Sequence, residues 1–401
     1  MTRVLHTGDT HLGYQQYHEP QRRQDFLAAF ERVVEDAIAE DVDAVVHAGD
    51  LFHDRQPRLP DIMGALSVLR TLDDAGIPFL AVVGNHETKR DAQWLDLYES
   101  LGFATRLGSS PVVVGDVAVY GLDFVPESQR AALEYDFEPH DAESAVLVSH
   151  GLFAPFDYGD WDATEILDAS PVDFDAVLLG DDHEAKQTQV DGTWLTYCGS
   201  TERASASERA ERGYNLVDFT DGVDIRRRGL PTREFVFVDV ELADGEGHDR
   251  VQERVGQHDL EDAVVIVAIE GEGDPITPGE IETFALDRGA LVARVNDRRE
   301  IAADAETTVS FADPDDAVAE RIRDLGLSAA ARDIDETIRA SKVADSTVAD
   351  TVEQRVREIV DEADPAAFES AETPTDDGES TAGDEAEGGQ TDDQATMEEY
   401  L

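Results

Sequence analysis

Ala44-Val45-Val46-His47-Ala48-Gly49-Asp50-Leu51-Phe52-His53 is the stretch whose reading decides the fold. Its first four residues fit a buried strand. The strand runs directly into a glycine turn that carries an aspartate and a histidine. The same design recurs at Gly8-Asp9-Thr10-His11, Gly84-Asn85-His86-Glu87, Ser149-His150-Gly151 and Gly180-Asp181-Asp182-His183. In open α/β sheets, ligands bind beyond the carboxyl ends of strands. A glycine ahead of the ligand allows a sharp exit and a close backbone approach. Gly-Asp and Gly-Asn are common turn dipeptides, so one such segment says little. Five in order, each after an apolar strand, say a great deal.

Outward from these turns, the first half of the chain alternates strands and helices. Val4-Leu5-His6 reads as a strand and Arg22 to Glu40 as a helix, with Phe26, Phe30, Val33, Val34, Ala37 and Ile38 on one face. A second helix is expected from Pro60, a strand over Phe79 to Val83, and a third helix from about Asp91 to Leu101. Strands then follow at Val112–Val114, Val117–Tyr120, Ala145–Val148, Ala176–Leu179, Thr193–Tyr197 and Tyr214–Phe219. The pattern predicts an α/β fold in which two mixed sheets form a sandwich flanked by helices. Near Pro231 it restarts as a small α/β domain, with strands at Phe235–Val240, Val264–Ile269 and Leu291–Val295 and helices at Asp249–Val255 and Glu280–Leu286. The expected division is 1–230, 231–310, a helical region 311–365 and a disordered acidic tail 366–401.

Composition limits the setting. The 401 residues exceed a single core. Apolar runs such as Phe79–Val83 are strand-sized, so neither a membrane span nor a signal peptide is expected. Cys198 is the only cysteine, which excludes an internal disulfide and fits a reducing, cytoplasmic setting. The net charge of −58, from 90 acidic and 32 basic residues, by itself argues against nucleic acid. A hydrophobic content of 41% excludes disorder for most of the chain. Because the acid is spread along the whole sequence, it reads as halophilic adaptation. At ~1 M salt the Debye length falls to about 3 Å and surface repulsion is largely screened.

The chemistry follows from the donors. Asp, His and Asn supply hard oxygen and imidazole ligands, which suit manganese, iron or zinc better than a thiolate-seeking ion. Two ions ~3.5–4 Å apart need a bridging carboxylate, and Asp50 is central in the set. His6 and His47 lie inside strands and read as hydrogen-bonded core residues; Cys198 reads as buried. His140, His248 and His258 sit in polar stretches and read as solvated.

This ordered set resembles the calcineurin-like metallophosphoesterase superfamily. Within it, the stretch His11-Leu12-Gly13-Tyr14-Gln15-Gln16-Tyr17-His18-Glu19-Pro20-Gln21-Arg22 is similar to the meiotic-recombination-eleven/SbcD DNA double-strand-break repair nucleases. Gly49–His53 and Gly199-Ser200-Thr201-Glu202-Arg203 resemble further signatures of that family. The resemblance implies two manganese ions per chain. Asp9, His11, Asp50 and His183 would hold one; Asp50, Asn85, His150 and Asp181 would hold the other. The family pattern in the last motif is Gly-His-x-His, and Asp181 stands where its first histidine is expected. A carboxylate can still ligate a hard ion, but three carboxylates then face the pair. His86 and His53 resemble residues that contact the scissile phosphate.

The implied activity is a DNA exonuclease and endonuclease that processes ends together with an SMC-like coiled-coil ATPase of the SbcC or Rad-fifty type. A small-molecule phosphodiesterase and a DNA-end scaffold with weakened catalysis are the alternatives. DNA contacts would come from a sparse basic set near the motifs: Arg22, Arg23, Arg55, Arg58, Lys89, Arg90, Lys186 and Arg203, with His18 in the family-like loop. The resemblance further implies a homodimer through the Pro60 and Asp91 helices. It also implies ATPase binding by helices at Ala329–Ala340 and Val348–Val360.

Overall fold

The computed structural model describes residues 2–299 except Arg90, Asp91 and Asp221. The helices expected after Pro314 and the acidic tail lie outside the described residues, as does Arg90. Along the chain come β1 (Thr2–Thr7), α1 (Pro20–Ala39), β2 (Ala44–His47), α2 (Leu59–Asp74), β3 (Phe79–Ala81) and α3 (Trp94–Ser100). There follow β4 (Thr105–Arg106), β5 (Val112–Val114), β6 (Val117–Leu122), α4 (Glu127–Arg130) and β7 (Ser144–His150). Next are β8 (Phe153–Ala154), β9 (Trp161–Asp162), α5 (Ala163–Ala169), β10 (Ala176–Gly180), β11 (Lys186–Val190) and β12 (Thr193–Tyr197). The series closes with β13 (Gly213–Phe219), β14 (Val223–Gly229), β15 (Phe235–Leu242), α6 (His248–Val255), β16 (Val264–Gly271), α7 (Pro278–Leu286) and β17 (Val292–Asp297).

Two six-stranded mixed sheets form the sandwich, in the orders β14-β13-β1-β2-β3-β4 and β11-β12-β10-β7-β6-β5. Their facing sides share one core, in which Val4, Val46 and Leu80 of the first meet Val119, Val146 and Leu178 of the second. The outer side of the first sheet packs under α1 and α2 through Leu5, Val45, Phe30, Val33 and Leu69. The outer side of the second is covered by α5 and by an aromatic cluster that includes Phe137, Phe153, Trp161 and Phe174. Central strands buried on both faces read as continuous apolar runs, which is why sequence found them.

Helix starts follow local capping. Pro20 occupies the first turn of α1, and the Glu19 side chain accepts from the Gln21 N–H at 3.1 Å, so the helix begins two residues before Arg22. The α3 helix starts at Trp94 instead of Asp91, because Asp96 caps the Gln93 N–H at 2.7 Å. Sequence missed β11 and β14, whose polar residues give no apolar run. These are edge strands, and in β14 Arg226 and Arg228 form ion pairs with Asp218, Asp224 and Glu40.

The strands β15, β16 and β17 form a separate parallel sheet. The α6 and α7 helices pack on one face through Val251, Val255, Ile281 and Ala285. Phe235, Val264 and Ile266 on the other face meet Tyr17 and Ala206. At this junction Arg22 is fully buried, with Phe26 and Phe235 rings 5.4 and 5.0 Å from its guanidinium. It pairs with Asp25 at 2.7 Å and Glu202 at 3.2 Å, so it is not available to a phosphate backbone and leaves the basic track. Arg22→Met removes the cation from the buried Glu202 carboxylate and leaves it the Arg203 N–H at 2.7 Å. The expected loss of stability is about 3 kcal/mol, read by denaturant unfolding in molar KCl. A loss below ~1 kcal/mol would mean that Arg22 does not hold this junction.

Candidate metal centre

Parallel registers bring the ligand turns to one edge. Thr7 pairs with His47 and His47 with Ala81 in the first sheet, while Gly180 pairs with His150 in the second. The chain therefore leaves β1, β2, β3, β7 and β10 on the same side. The Ala48 carbonyl accepts from His150 Nδ1 at 2.7 Å, and the Asp181 N–H donates to both oxygens of Asp9 at 3.1 Å. These bonds join the two sheets across the site.

The turns are locally strained toward it. Asp9, His11, Asp50 and Asp181 adopt φ of 49, 42, 56 and 97°, a region disfavoured for side chains larger than glycine. Gly84 leaves room for Asp50: a Cβ there would run into the Asp50 carboxylate and backbone nitrogen. Gly49, at φ 90°, likewise faces the His150 ring. Glu87 sets the Asp50 turn by accepting the N–H groups of Leu51 at 3.2 Å and Phe52 at 3.3 Å. Burial pushes Glu87 up to about 7.

The donors converge around Asp50. His150 Nε2 lies 3.5 Å from Asp50 Oδ2, 3.7 Å from Asp181 Oδ1 and 3.2 Å from Asn85 Oδ1. His11 Nε2 lies 3.9 Å from Asp50 Oδ2 and 3.0 Å from His183 Nε2. One potential ligand set is Asp9, His11 and His183; another is Asp9, Asp50 and His150. Asp9 thus stands in both groups, a position the sequence reading gave to Asp50 alone. His11, His53 and His86 form a third convergent set. His86 Nδ1 bonds the His53 carbonyl at 2.9 Å, and the His53 ring stacks between His86 and Tyr14, with centroids 5.1 and 3.9 Å away.

Electrostatics favour a cation here. Burial and neighbouring acids raise Asp50 well above the usual carboxylate range. Burial also raises Asp9, and pushes Asp181 up to about 6. His11 and His150 are lowered, chiefly by burial, and so present neutral imidazoles. His183 is raised: burial lowers it, but its bond to the Glu208 carboxylate prevails. Crowded carboxylates facing imidazole lone pairs are the donor set a divalent ion stabilises, so these residues fit one.

Residues 2–185 match the calcineurin-like phosphoesterase family. The chain is 65% identical over 379 residues to the DNA double-strand break repair protein Mre11 of Haloferax volcanii, covering 94% of this chain and 86% of that one. The chain belongs to the Mre11 family. A second member, from Halobacterium salinarum, is 58% identical over 382 residues, covering 94% of this chain and 99% of its own. The Mre11 of Saccharolobus solfataricus is 30% identical over 245 residues, covering 56% and 62%. Membership carries the metallophosphoesterase fold and binding of divalent metal.

The basic residues of this Mre11-family chain divide. Arg58 is exposed at the start of α2, Arg55 is half-buried, and His18 is exposed at the end of its loop. Lys89 lies 3.7 Å above the Trp94 ring. Arg203 instead bonds inward, to the Glu208 and Ala210 carbonyls and to Thr232. Arg23 and Lys186 are paired with Asp61 and Asp182. Among the other histidines, His6 and His47 are fully buried and pushed down to about 3, and His47 bonds Thr10 Oγ1 at 3.0 Å. His140 and His248 are half-buried, whereas His258 is exposed. Cys198 is buried. Sequence reasoning missed Glu87, Tyr14 and Glu208. Tyr14 and Glu87 lay inside quoted segments without being given a role, and Glu208 lay in none.

Proposed function

We propose that this chain is a manganese-dependent DNA nuclease, a double-strand exonuclease and single-strand endonuclease that processes ends in double-strand-break repair. The carrying observation is the convergence of Asp9, His11, Asp50, Asn85, His150, Asp181 and His183 from both sheets, in a chain of the Mre11 family. In this reading Asp9, His11, Asp50 and His183 hold one ion, and Asp50, Asn85, His150 and Asp181 hold the other. Two such ions supply an activated water and neutralise charge developing on the phosphate. The chain's own residues do the rest. The His53 carbonyl fixes the Nδ1 side of His86, leaving Nε2 to bond the phosphate or, as an imidazolium, to protonate the leaving oxygen. His53, steadied by Tyr14, provides a second contact to the phosphate.

Arg55, Arg58, Lys89, Arg90 and His18 are proposed to guide DNA, and Arg203, which bonds inward, to support them by holding its loop. Counterion release contributes little at molar salt, so affinity leans on phosphate coordination and on avidity from a homodimer. Support for the dimer comes from Leu59 and Met63 of α2, Leu97 of α3 and Leu101 just after it, all exposed, on helices joined by the Tyr98 bond to the Ile62 carbonyl. The three-stranded sheet is the described part of a proposed DNA-capping domain with bounds 231–310. An SMC-like coiled-coil ATPase is the proposed partner of residues 311–365. Among the described residues no helix is long and apolar enough to cross a membrane. The acidic composition and the relatives from Haloferax and Halobacterium support a halophilic setting.

Cleavage assays on DNA ends in molar KCl test this reading. Manganese is expected to support cleavage, and magnesium alone to do so poorly, because magnesium prefers an all-oxygen octahedron. No cleavage with manganese would favour the scaffold reading that Asp181 raises. Asp181→Ala is expected to lower occupancy of one ion, whereas Asp181→His should keep both. Metal counting by native mass spectrometry decides between them, and full occupancy in the alanine variant would remove Asp181 from the ligand set.

A further inference from the structure

The stretch from Gly199 to Arg212 carries a family-like signature, yet none of its residues belongs to the proposed ligand or phosphate-contacting set apart from Arg203, which bonds inward. One of its side chains does reach the centre. Glu208 Oε1 lies 2.8 Å from Nδ1 of His183, whose other nitrogen, Nε2, faces His11 Nε2 at 3.0 Å. We propose that Glu208 is a positioning residue that sets the ring of His183 for metal binding, and that the loop around it is built to hold that carboxylate. This rests on the two-ion reading above.

The loop grips Glu208 from several sides. Its Oε2 accepts the Ala204 N–H at 3.0 Å and Arg212 Nη1 at 3.0 Å. Its backbone carbonyl accepts Arg203 Nε at 3.1 Å. Arg212 is 3% exposed, and the same Nη1 also reaches the His183 carbonyl at 2.9 Å and Ser200 Oγ at 3.0 Å. Arg212 therefore holds both members of the pair, the histidine by its backbone and the glutamate by its side chain. Arg203 is fixed in turn by Thr232 at 3.0 Å and lies over the Phe235 ring.

The partners of the other histidines make Glu208 distinctive. His150 and His86 have backbone carbonyls at their Nδ1 atoms, from Ala48 and His53. A carboxylate orients a ring equally well and makes its free nitrogen a better donor. Glu208 should thus fix His183 with hydrogen on Nδ1 and a lone pair on Nε2 aimed at the centre. Its loss should weaken only the ion shared with Asp9 and His11. The contacts of Asn85 and His150, the residues proposed for the other ion, run to Ala48, Asp50, Asp181 and each other instead of to this loop.

Manganese titration of the full metal-free chain, followed by electron paramagnetic resonance, tests this in wild type, Glu208→Ala and Glu208→Gln. Loss of an outer partner typically lowers metal affinity 10–100-fold. One of two binding steps should weaken by about that factor in Glu208→Ala and less in Glu208→Gln, whose amide oxygen can still accept from Nδ1. The other step should not move. Unchanged binding in Glu208→Ala, or equal weakening of both steps with a lower melting temperature, would overturn the positioning role. If the alanine variant fails to fold, ring nitrogen shifts of His183 in the wild-type protein at pH 8 decide. Hydrogen on Nδ1 supports the proposal and hydrogen on Nε2 overturns it. A wild-type chain that binds fewer than two manganese ions would instead count against the functional reading, and the same ring measurement, which needs no metal, would still decide for Glu208.

Discussion

Asp50→Asn is expected to lower manganese-dependent cleavage by at least ~10³-fold, since it removes the proposed bridging charge at the point where both ions stabilise the reaction. The substitution is nearly isosteric. Asp50 Oδ1 accepts the His86 N–H at 3.0 Å, and an asparagine oxygen can do the same, so the turn should keep its shape. A second effect has the opposite sign. Burial and the nearby acids Asp9, Glu87 and Asp181 raise Asp50 well above its ordinary value. For an acid whose folded value is raised, ionisation above the unfolded value costs stability. Without metal at neutral pH, the neutral asparagine should therefore raise the melting temperature. With manganese, the wild type should gain stability and the variant should gain little. Calorimetry with and without manganese, beside gel-based cleavage of a duplex end, measures both. A variant that retained wild-type cleavage would remove Asp50 from the centre.

His86→Ser should fail differently. Loss of an acid or a phosphate contact typically costs ~10²–10⁴-fold in rate, and here the ions should stay. The Nδ1 atom of His86 is turned to the His53 carbonyl, and its ring lies 5.0 Å from that of His11. The expected result is a fall in kcat with wild-type manganese stoichiometry and little change in DNA-end binding. If the serine variant lost an ion, His86 would belong with the convergent set of His11, His53 and His86 as a ligand. Single-turnover kinetics and metal counting on one preparation separate the two outcomes.

The contrast between Asp50 and Glu208 shows what the sequence made legible. Asp50 follows a strand buried on both faces, and such strands appear as apolar runs ending in a turn. β1, β2, β3, β7 and β10 were all found this way, and with them every proposed ligand. Glu208 lies 25 residues from His183 in a polar loop, where no periodicity marks the pairing. Arg22 and Arg203 looked like phosphate contacts because charge near a motif says nothing about burial. Folding instead places Arg22 in an aromatic and acidic pocket and turns Arg203 to backbone carbonyls. The polar edge strands β11 and β14 escaped for the converse reason. They are sheet by virtue of backbone pairing: β11 is polar up to Val190, and in β14 only Val223 and Ile225 reach the core before three arginines.

The most direct test of the account is anomalous diffraction at the manganese edge from crystals grown with the metal. Two peaks ~3.5–4 Å apart are expected on either side of the Asp50 carboxylate. One should lie against Asp9, His11 and His183 and the other against Asn85, His150 and Asp181. A single peak, or peaks away from Asp50, would contradict a two-ion centre built across the sandwich.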